Sequence, residues 1–303
     1  MGVVGAAQHE HQPVLVEHVL QLLDPCPGQA ILDGTVGLGG HASALLARIM
    51  PGGRYVGLDV DEEMLAVART RVLAASAGGV ELFCASYVDF PEVLARAGLS
   101  AVDHMFLDLG VNSAQLADES RGFSFDRDGP LDMRYDREQK GRALDLINSL
   151  SESELADLFY YNAQEGASRK IAKRICQARH TGRITTTHAL ARAIESAMEG
   201  RPGKIHPATR VFQALRIAVN QELDNLKAFL GRSGEFLRPG GKLAVISFHS
   251  LEDGIVKDFL RAAKAAGTFE ELTRRPVIAD SRERAANPRS RSAKLRVGRR
   301  LGE

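Results

Sequence analysis

Three carboxylates close apolar runs early in the chain, and glycines crowd behind the first of them. Asp33 ends Ile31-Leu32 and opens the stretch ILDGTVGLGGH, with glycines at 34, 37, 39 and 40. Asp59 ends the run that begins at Arg54, and Asp108 ends the run that begins at Val102. A fourth run, Leu243 to Ser247, ends on a hydroxyl and is followed by Phe248-His249-Ser250. A carboxylate at a strand end can accept from ribose hydroxyls or amines, or attract a cation. A glycine-rich turn between a strand and a helix lets a ligand approach backbone amides closely.

Two ligands fit the glycine loop. Gly37-x-Gly39-x-x-Ala42 satisfies the dinucleotide fingerprint, which tolerates Ala at its third place. Asp33-x-x-x-Gly37-x-Gly39 fits the loop that holds S-adenosylmethionine. Asp59 lies 20 residues after Gly39, the spacing at which an acid meets ribose hydroxyls, and both ligands carry that ribose. Asp33 tilts the choice. A carboxylate repels a pyrophosphate and attracts a sulfonium and an ammonium. A turn that merely needs positive φ is the third reading.

Asp108 and Ser247 should face the same cleft, because ligands of open α/β sheets sit beyond the carboxyl ends of the strands. The exocyclic amine of an aromatic base is a poor nucleophile, since its lone pair is delocalised into the ring. A carboxylate accepting its N–H bonds localises that pair, and the rest is alignment for in-line displacement. Asp108, Ser247 and His249 are therefore the catalytic candidates. His249 either takes up a proton or packs.

These residues need a sheet to hold them. Ala30–Leu32, Arg54–Leu58, Val80–Cys84 and Val102–Leu109 read as strands. Helical spacing over His41–Met50, Asp61–Ala75 and Pro91–Ala97 alternates with them, which predicts a doubly wound parallel sheet. From about Ser113 to His206 no strand run is convincing. A polar loop, ESRGFSFDRDGPLDMRYD, leads into helices that begin at Ser151, Ser168 and Thr187. The helix Pro207–Phe229 carries His206, Arg210, Gln213, Arg216 and Asn220 along one stripe, to brace the insertion or to line the cleft. Strand spacing resumes at Leu243–Ser247, a helix at Ser250–Ala263 follows, and Lys294–Val297 can close the sheet. No internal repeat occurs.

The chain has 303 residues, 44% hydrophobic and 25% charged, enough for a sizeable core. No window approaches the roughly 18 apolar residues of a membrane span, and no signal peptide is recognisable. Cys26, Cys84 and Cys176 are sparse and odd in number, which predicts reduced thiols, no zinc site and a cytoplasmic location. The net charge is only +1, yet Arg274 to Arg300 holds nine Arg and one Lys against Asp280 and Glu283. That end either meets a polyanion or is a solvated tail. In Arg121-Gly-Phe-Ser-Phe125, cation and aromatic residues interleave, with Arg134 nearby, as single-stranded nucleic acid requires. The alternative places Phe123 and Phe125 in a small core. Arg121, Phe123, Arg134, Arg210 and Asn220 are the substrate-binding candidates.

HQPVLVEHV, DGTVGLGGH, DLGVNSAQL, RGFSFDRDGPLDMR, HPATRVFQALRIAVN, ISFHSLED and NPRSRSAKLR, in that order, resemble the motifs of the bacterial ribosomal RNA small subunit methyltransferase H family. The resemblance runs from His11 to about Arg296. It implies a Rossmann-like class I S-adenosylmethionine-dependent methyltransferase α/β sheet (1–112 and 207–303) with an inserted all-helical domain (113–206) that recognises RNA. The implied reaction moves a methyl group from S-adenosylmethionine to N4 of a cytidine in the P-site region of 16S ribosomal RNA, within the small ribosomal subunit. No metal is implied, and monomer or homodimer stays open. The donor would meet Gly39, Gly40, His41, Asp59, Tyr87, Asp108 and Gln115, beside the Asp33 and Gly37 already singled out. Asn112 stands where the family usually has Ser, and Asn162-Ala163-Gln164-Glu165 replaces a commoner Tyr-Gly-Glu-Glu.

Overall fold

The computed structural model describes residues 12–74, 78–198 and 206–302. His11, where the family resemblance begins, and Ala75, the expected end of a helix, lie outside them.

Seven strands form one sheet: β1 Ala30–Asp33, β2 Arg54–Asp59, β3 Val80–Cys84, β4 Val102–Asp108, β5 Leu237–Ser247, β6 Phe269–Glu271 and β7 Lys294–Arg300. Their order is β3-β2-β1-β4-β5-β7-β6, and β7 alone runs against its neighbours. This is the doubly wound, mostly parallel α/β sheet that the strand spacing predicts. The helices are α1 Val16–Leu23, α2 Gly40–Ile49, α3 Glu62–Ala74, α4 Phe90–Arg96, α5 Ser113–Ala117, α6 Ala143–Ser149 and α7 Glu152–Ala163, followed by α8 Ser168–Thr181, α9 Thr187–Met198, α10 Ala208–Asn220, α11 Glu222–Phe236, α12 Ser250–Ala265 and α13 Ser281–Ala286.

The chain divides into two compact units. The first comprises Met1–Asn112, Arg232–His249 and Val256–Glu303, and it contains the whole sheet. Every residue of β1 is buried, as in a strand covered on both faces. On one face Ile31, Tyr55, Phe106, Ile246 and Leu295 pack with Leu23, Leu45 and Leu65 from α1, α2 and α3. Side chains alternate along strands, so Leu32, Val56, Leu107 and Val245 belong to the opposite face and are buried too. Asp61 starts α3, its carboxylate accepting the Met64 amide at 3.4 Å.

The second unit comprises Ser113–Gly231 and Ser250–Ile255, so it extends past the 113–206 read from the sequence. The cause is α10, which packs on α7, α6 and α9. At the start of α7, where the sequence places a helix start, Ser151 and Glu154 form a capping box.

Three further departures from the sequence reading have local causes. Gln221, at φ 51, breaks the expected helix 207–229 into α10 and α11. The turn Pro239-Gly240-Gly241 does not precede β5 but lies inside it as an irregularity, with Gly240 at φ 82. The basic end of the chain is folded. Besides β7, which the sequence anticipates over Lys294–Val297, it supplies α13 and a 3-10 turn at Pro288–Arg291. No helix among the described residues is long and apolar enough to cross a membrane.

Candidate active site

The carboxyl ends of β2, β1 and β4 lie side by side, and each ends on an acid: Asp59, Asp33 and Asp108. The chain turns from β1 toward β2 on one side and meets β4 on the other, the topological switch where such sheets bind ligands. The glycine loop leaves β1 by holding both neighbours. Gly34 N donates to Phe106 O at 3.0 Å and Val36 N to Leu58 O at 3.0 Å. Gly39, at φ 79, caps α2, whose first amides then face outward from the loop. A Cβ on Gly34 would lie 2.5 Å from Leu107 Cδ2 and 2.8 Å from Tyr87 Cβ, so only glycine lets Tyr87 rest against the loop.

The acids are tied into this backbone. Asp33 accepts from Tyr55 Oη at 2.5 Å and from Thr35 N at 3.0 Å. Asp59 accepts from Gly37 N at 2.7 Å and Asp61 N at 2.9 Å. Thr35 Oγ1 accepts from Asp108 N at 2.6 Å, joining the loop to the end of β4. His41, in the first turn of α2, places Nδ1 3.4 Å from Asp108 Oδ2 and packs its ring 4.8 Å from Phe106.

Burial pushes Asp33 up to about 6, only partly offset by the Tyr55 and Thr35 bonds, and Asp108 adds repulsion. Burial likewise pushes Asp59 up to about 6 against the Asp61 and Gly37 amides. Burial also holds His41 below its usual value, so it does little to neutralise the acids. Asp33 and Asp59, buried neighbours whose ionised forms burial disfavours, are poised for a cation, and the glycines leave backbone room for it.

Ser247, at the end of β5, is buried, and its hydroxyl donates to Lys294 O at 3.4 Å. His249 follows two residues later and is half-buried. Gln115 is buried in α5 of the second unit.

A model of the MraW methylase family matches residues 8–301. The chain belongs to the MraW methylase family. The ribosomal RNA small subunit methyltransferase H of Sorangium cellulosum is 47% identical, over 97% of this chain and 91% of its own. The namesake in Syntrophotalea carbinolica is 46% identical over 96% and 98%, and that in Deinococcus radiodurans 46% over 96% and 89%.

In this MraW-family chain, the substrate candidates Arg121, Phe123, Arg134 and Asn220 of the second unit each have partners within that unit. Arg121 is buried and donates to the carbonyls of Arg134 and Tyr135 at 3.1 and 2.9 Å. Phe123 is buried and stacks on Tyr135, ring centroids 5.4 Å apart. Arg134 forms a two-pronged bond to Asp132 and caps the carbonyls of Arg137 and Gln139. Asn220 accepts from Tyr135 N and donates to Met133 O, both at 2.8 Å. A buried guanidinium or amide must satisfy its donors locally, and these do so within the loop. Along the same stripe His206 meets Glu195, Arg216 meets Glu222, and Arg210 meets Glu165 at 3.8 Å while staying half exposed.

The sequence reading missed Gly34, Thr35 and Tyr55. Tyr55 had a signal. An aromatic in the strand next to a buried Asp is a ready hydroxyl donor. Thr35 and Gly34 act through loop geometry, which spacing does not reveal.

Proposed function

We propose that the protein transfers a methyl group from S-adenosylmethionine to N4 of a cytidine in the P-site region of 16S ribosomal RNA. Membership of a methylase family selects the methyl donor over the dinucleotide, and the relatives named for small-subunit ribosomal RNA support the substrate. The observation that carries the reading is the row of strand-end acids Asp59, Asp33 and Asp108.

The residues fit the donor. Asp59 accepts from the ribose hydroxyls, Asp33 offsets the positive charge, Tyr87 flanks the adenine, and Gly39, Gly40 and His41 admit the methionyl part to the start of α2. Gln115 completes the donor contacts. The donor supplies a methyl group on a sulfonium. Asp108 accepts an N–H of the cytosine amine, turns its lone pair toward that methyl, and holds the line of attack. Ser247 supports this end of the cleft. The proton leaves the nitrogen only after transfer, and His249 is its proposed acceptor.

A stacked base must be extruded or caught single-stranded to reach such a site. With Arg121, Phe123 and Arg134 committed elsewhere, the RNA contacts pass to exposed groups of the second unit. Arg169, Lys170 and Lys173 of α8 are exposed, Tyr160 and Tyr161 are exposed on α7, and Arg210 is half exposed. A cleft of ≈ 470 Å³ lined by Asp145, Asn148, Ser149, Arg179, His180 and Arg183 adds cations at the other end of α8. Stacking tyrosines with neighbouring cations suit an RNA strand.

The test is nucleoside mass spectrometry of small-subunit RNA after incubation with the purified protein and S-adenosylmethionine. N4-methylcytidine should appear at one position. Methylation at another atom or base would refute the assignment.

A further inference from the structure

The motif NPRSRSAKLR and the residues just before it lie in the basic end of the chain, where charge alone suggests an RNA contact. Their side chains point to another task. Glu283 Oε1 accepts from Leu15 N at 2.7 Å. Asn287 Nδ2 donates to Gln12 O at 2.8 Å, while its Oδ1 accepts from Arg289 N at 3.3 Å and fixes the turn. Arg289 Nη2 donates to Val111 O. One short segment therefore holds two distant stretches of backbone.

Both stretches border the strand-end acids. Val14 O accepts from His41 Nε2 at 2.8 Å. A carbonyl only accepts, so this bond puts a hydrogen on Nε2 and turns Nδ1 toward Asp108. Pro13 packs below the start of α2, where a Cβ on Gly40 would come within 3.0 Å of it. Leu15 is buried at φ 54, a backbone state that a leucine keeps only when its surroundings enforce it. On the other side, Val111 lies three residues beyond Asp108.

We propose that Asp280–Arg291 is a positioning brace for the active site, with Glu283, Asn287 and Arg289 as its grips. By holding Gln12–Leu15 it orients His41 and the glycine-loop end of α2. By holding Val111 it fixes the exit of β4 and so the place of Asp108. Arg289 acts in this brace as a positioning residue, through the backbone of Val111. The consequence for methyl transfer rests on the reading of the site given above, whereas the mechanical coupling does not.

The test uses the full chain and four variants: Arg289→Ala, Asn287→Ala, Arg289→Lys and Arg282→Ala. Arg282 is exposed on the same segment and makes none of these contacts, so it matches the charge change alone. Hydrogen exchange comes first, without ligand. The amides of Asp108 and Leu109, bonded to Thr35 and Ile246, should exchange at least about tenfold faster in Arg289→Ala and be unchanged in Arg282→Ala. Unchanged exchange in both Arg289→Ala and Asn287→Ala overturns the brace.

Calorimetric titration with S-adenosylhomocysteine follows. Arg289→Ala should weaken binding by about tenfold or more, the effect of losing one charged hydrogen bond, and Arg289→Lys should restore most of it. An equal loss in Arg282→Ala would mean that charge, not position, is what the segment contributes, and would also overturn the brace. A wild-type chain that does not bind S-adenosylhomocysteine would sink the methyl-donor reading, and the exchange result would still decide the brace. If Arg289→Ala does not fold, Asn287→Ala and Arg289→Lys carry both measurements.

Discussion

Tyr55 donates its phenolic hydrogen to Asp33 Oδ2 at 2.5 Å, inside a fully buried pair. The bond supports the carboxylate without discharging it, because burial still pushes Asp33 up to about 6 from 3.8. A raised carboxyl pKa favours folding below pH 3.8, and that contribution is lost as pH rises through 6. Near pH 7.5 the ionised Asp33 therefore costs the ligand-free protein on the order of 3 kcal/mol at most. Asp33→Asn should raise stability in urea unfolding at pH 7.5 while weakening donor binding. A destabilised Asn variant would show that the charge is already compensated.

Donor affinity should depend on pH through the same groups. Asp33 and Asp59 both titrate near 6 in the free protein. A bound cation favours their ionised forms, so binding must expel protons as pH falls below 6. Between pH 7 and pH 5 affinity should drop about tenfold for each carboxylate whose pKa the donor lowers below 5. Calorimetry across that range reads the effect. A flat profile would mean that the donor's charge does not meet these acids.

The loop glycines should separate into two kinds. Gly34 is closed in by Leu107 and Tyr87, whereas Gly37 sits at φ 52 with nothing within 4 Å of the place a Cβ would take. Gly34→Ala must push the loop away from Tyr87 and β4. Gly37→Ala carries only the left-handed backbone penalty, about 1 kcal/mol. Donor titrations should show a large loss for Gly34→Ala and a small one for Gly37→Ala. The reverse order would contradict the role given to close approach.

Deleting the chain from Arg274 onward should abolish folding, not only RNA binding. β7 pairs with β5 over six residues, from Lys242↔Arg299 to Ser247↔Lys294, and buries Leu295 and Val297 in the core. The truncated protein should lose donor binding and its cooperative thermal transition. A truncated chain that stays folded and binds donor would return the segment to the status of a tail.

The sheet was legible because parallel strands buried on both faces read as apolar runs, and those runs stop on Asp33, Asp59 and Asp108. Helix starts at Asp61 and Ser151 were legible from capping chemistry. What local sequence could not reveal depends on distant partners. Arg121 and Arg134 look like RNA ligands until their carbonyl acceptors fold around them. The last strand was legible over Lys294–Val297, but its run on to Arg300 was hidden by charge, since its pairing partners lie in β5. Gln221 has no helix-breaking signature, yet it stands at φ 51 between α10 and α11. Arg289 and Val111 lie 178 residues apart, a separation no motif spacing reports.

The role of the strand-end acids is best decided by a crystal structure with S-adenosylhomocysteine and cytidine bound together. Ribose hydroxyls should rest on Asp59, the amino group of the methionyl part near Asp33, the adenine beside Tyr87, and the cytidine N4 within hydrogen-bonding distance of Asp108. A nucleoside bound away from these strand ends, or a cytidine whose N4 points away from Asp108, would contradict that role.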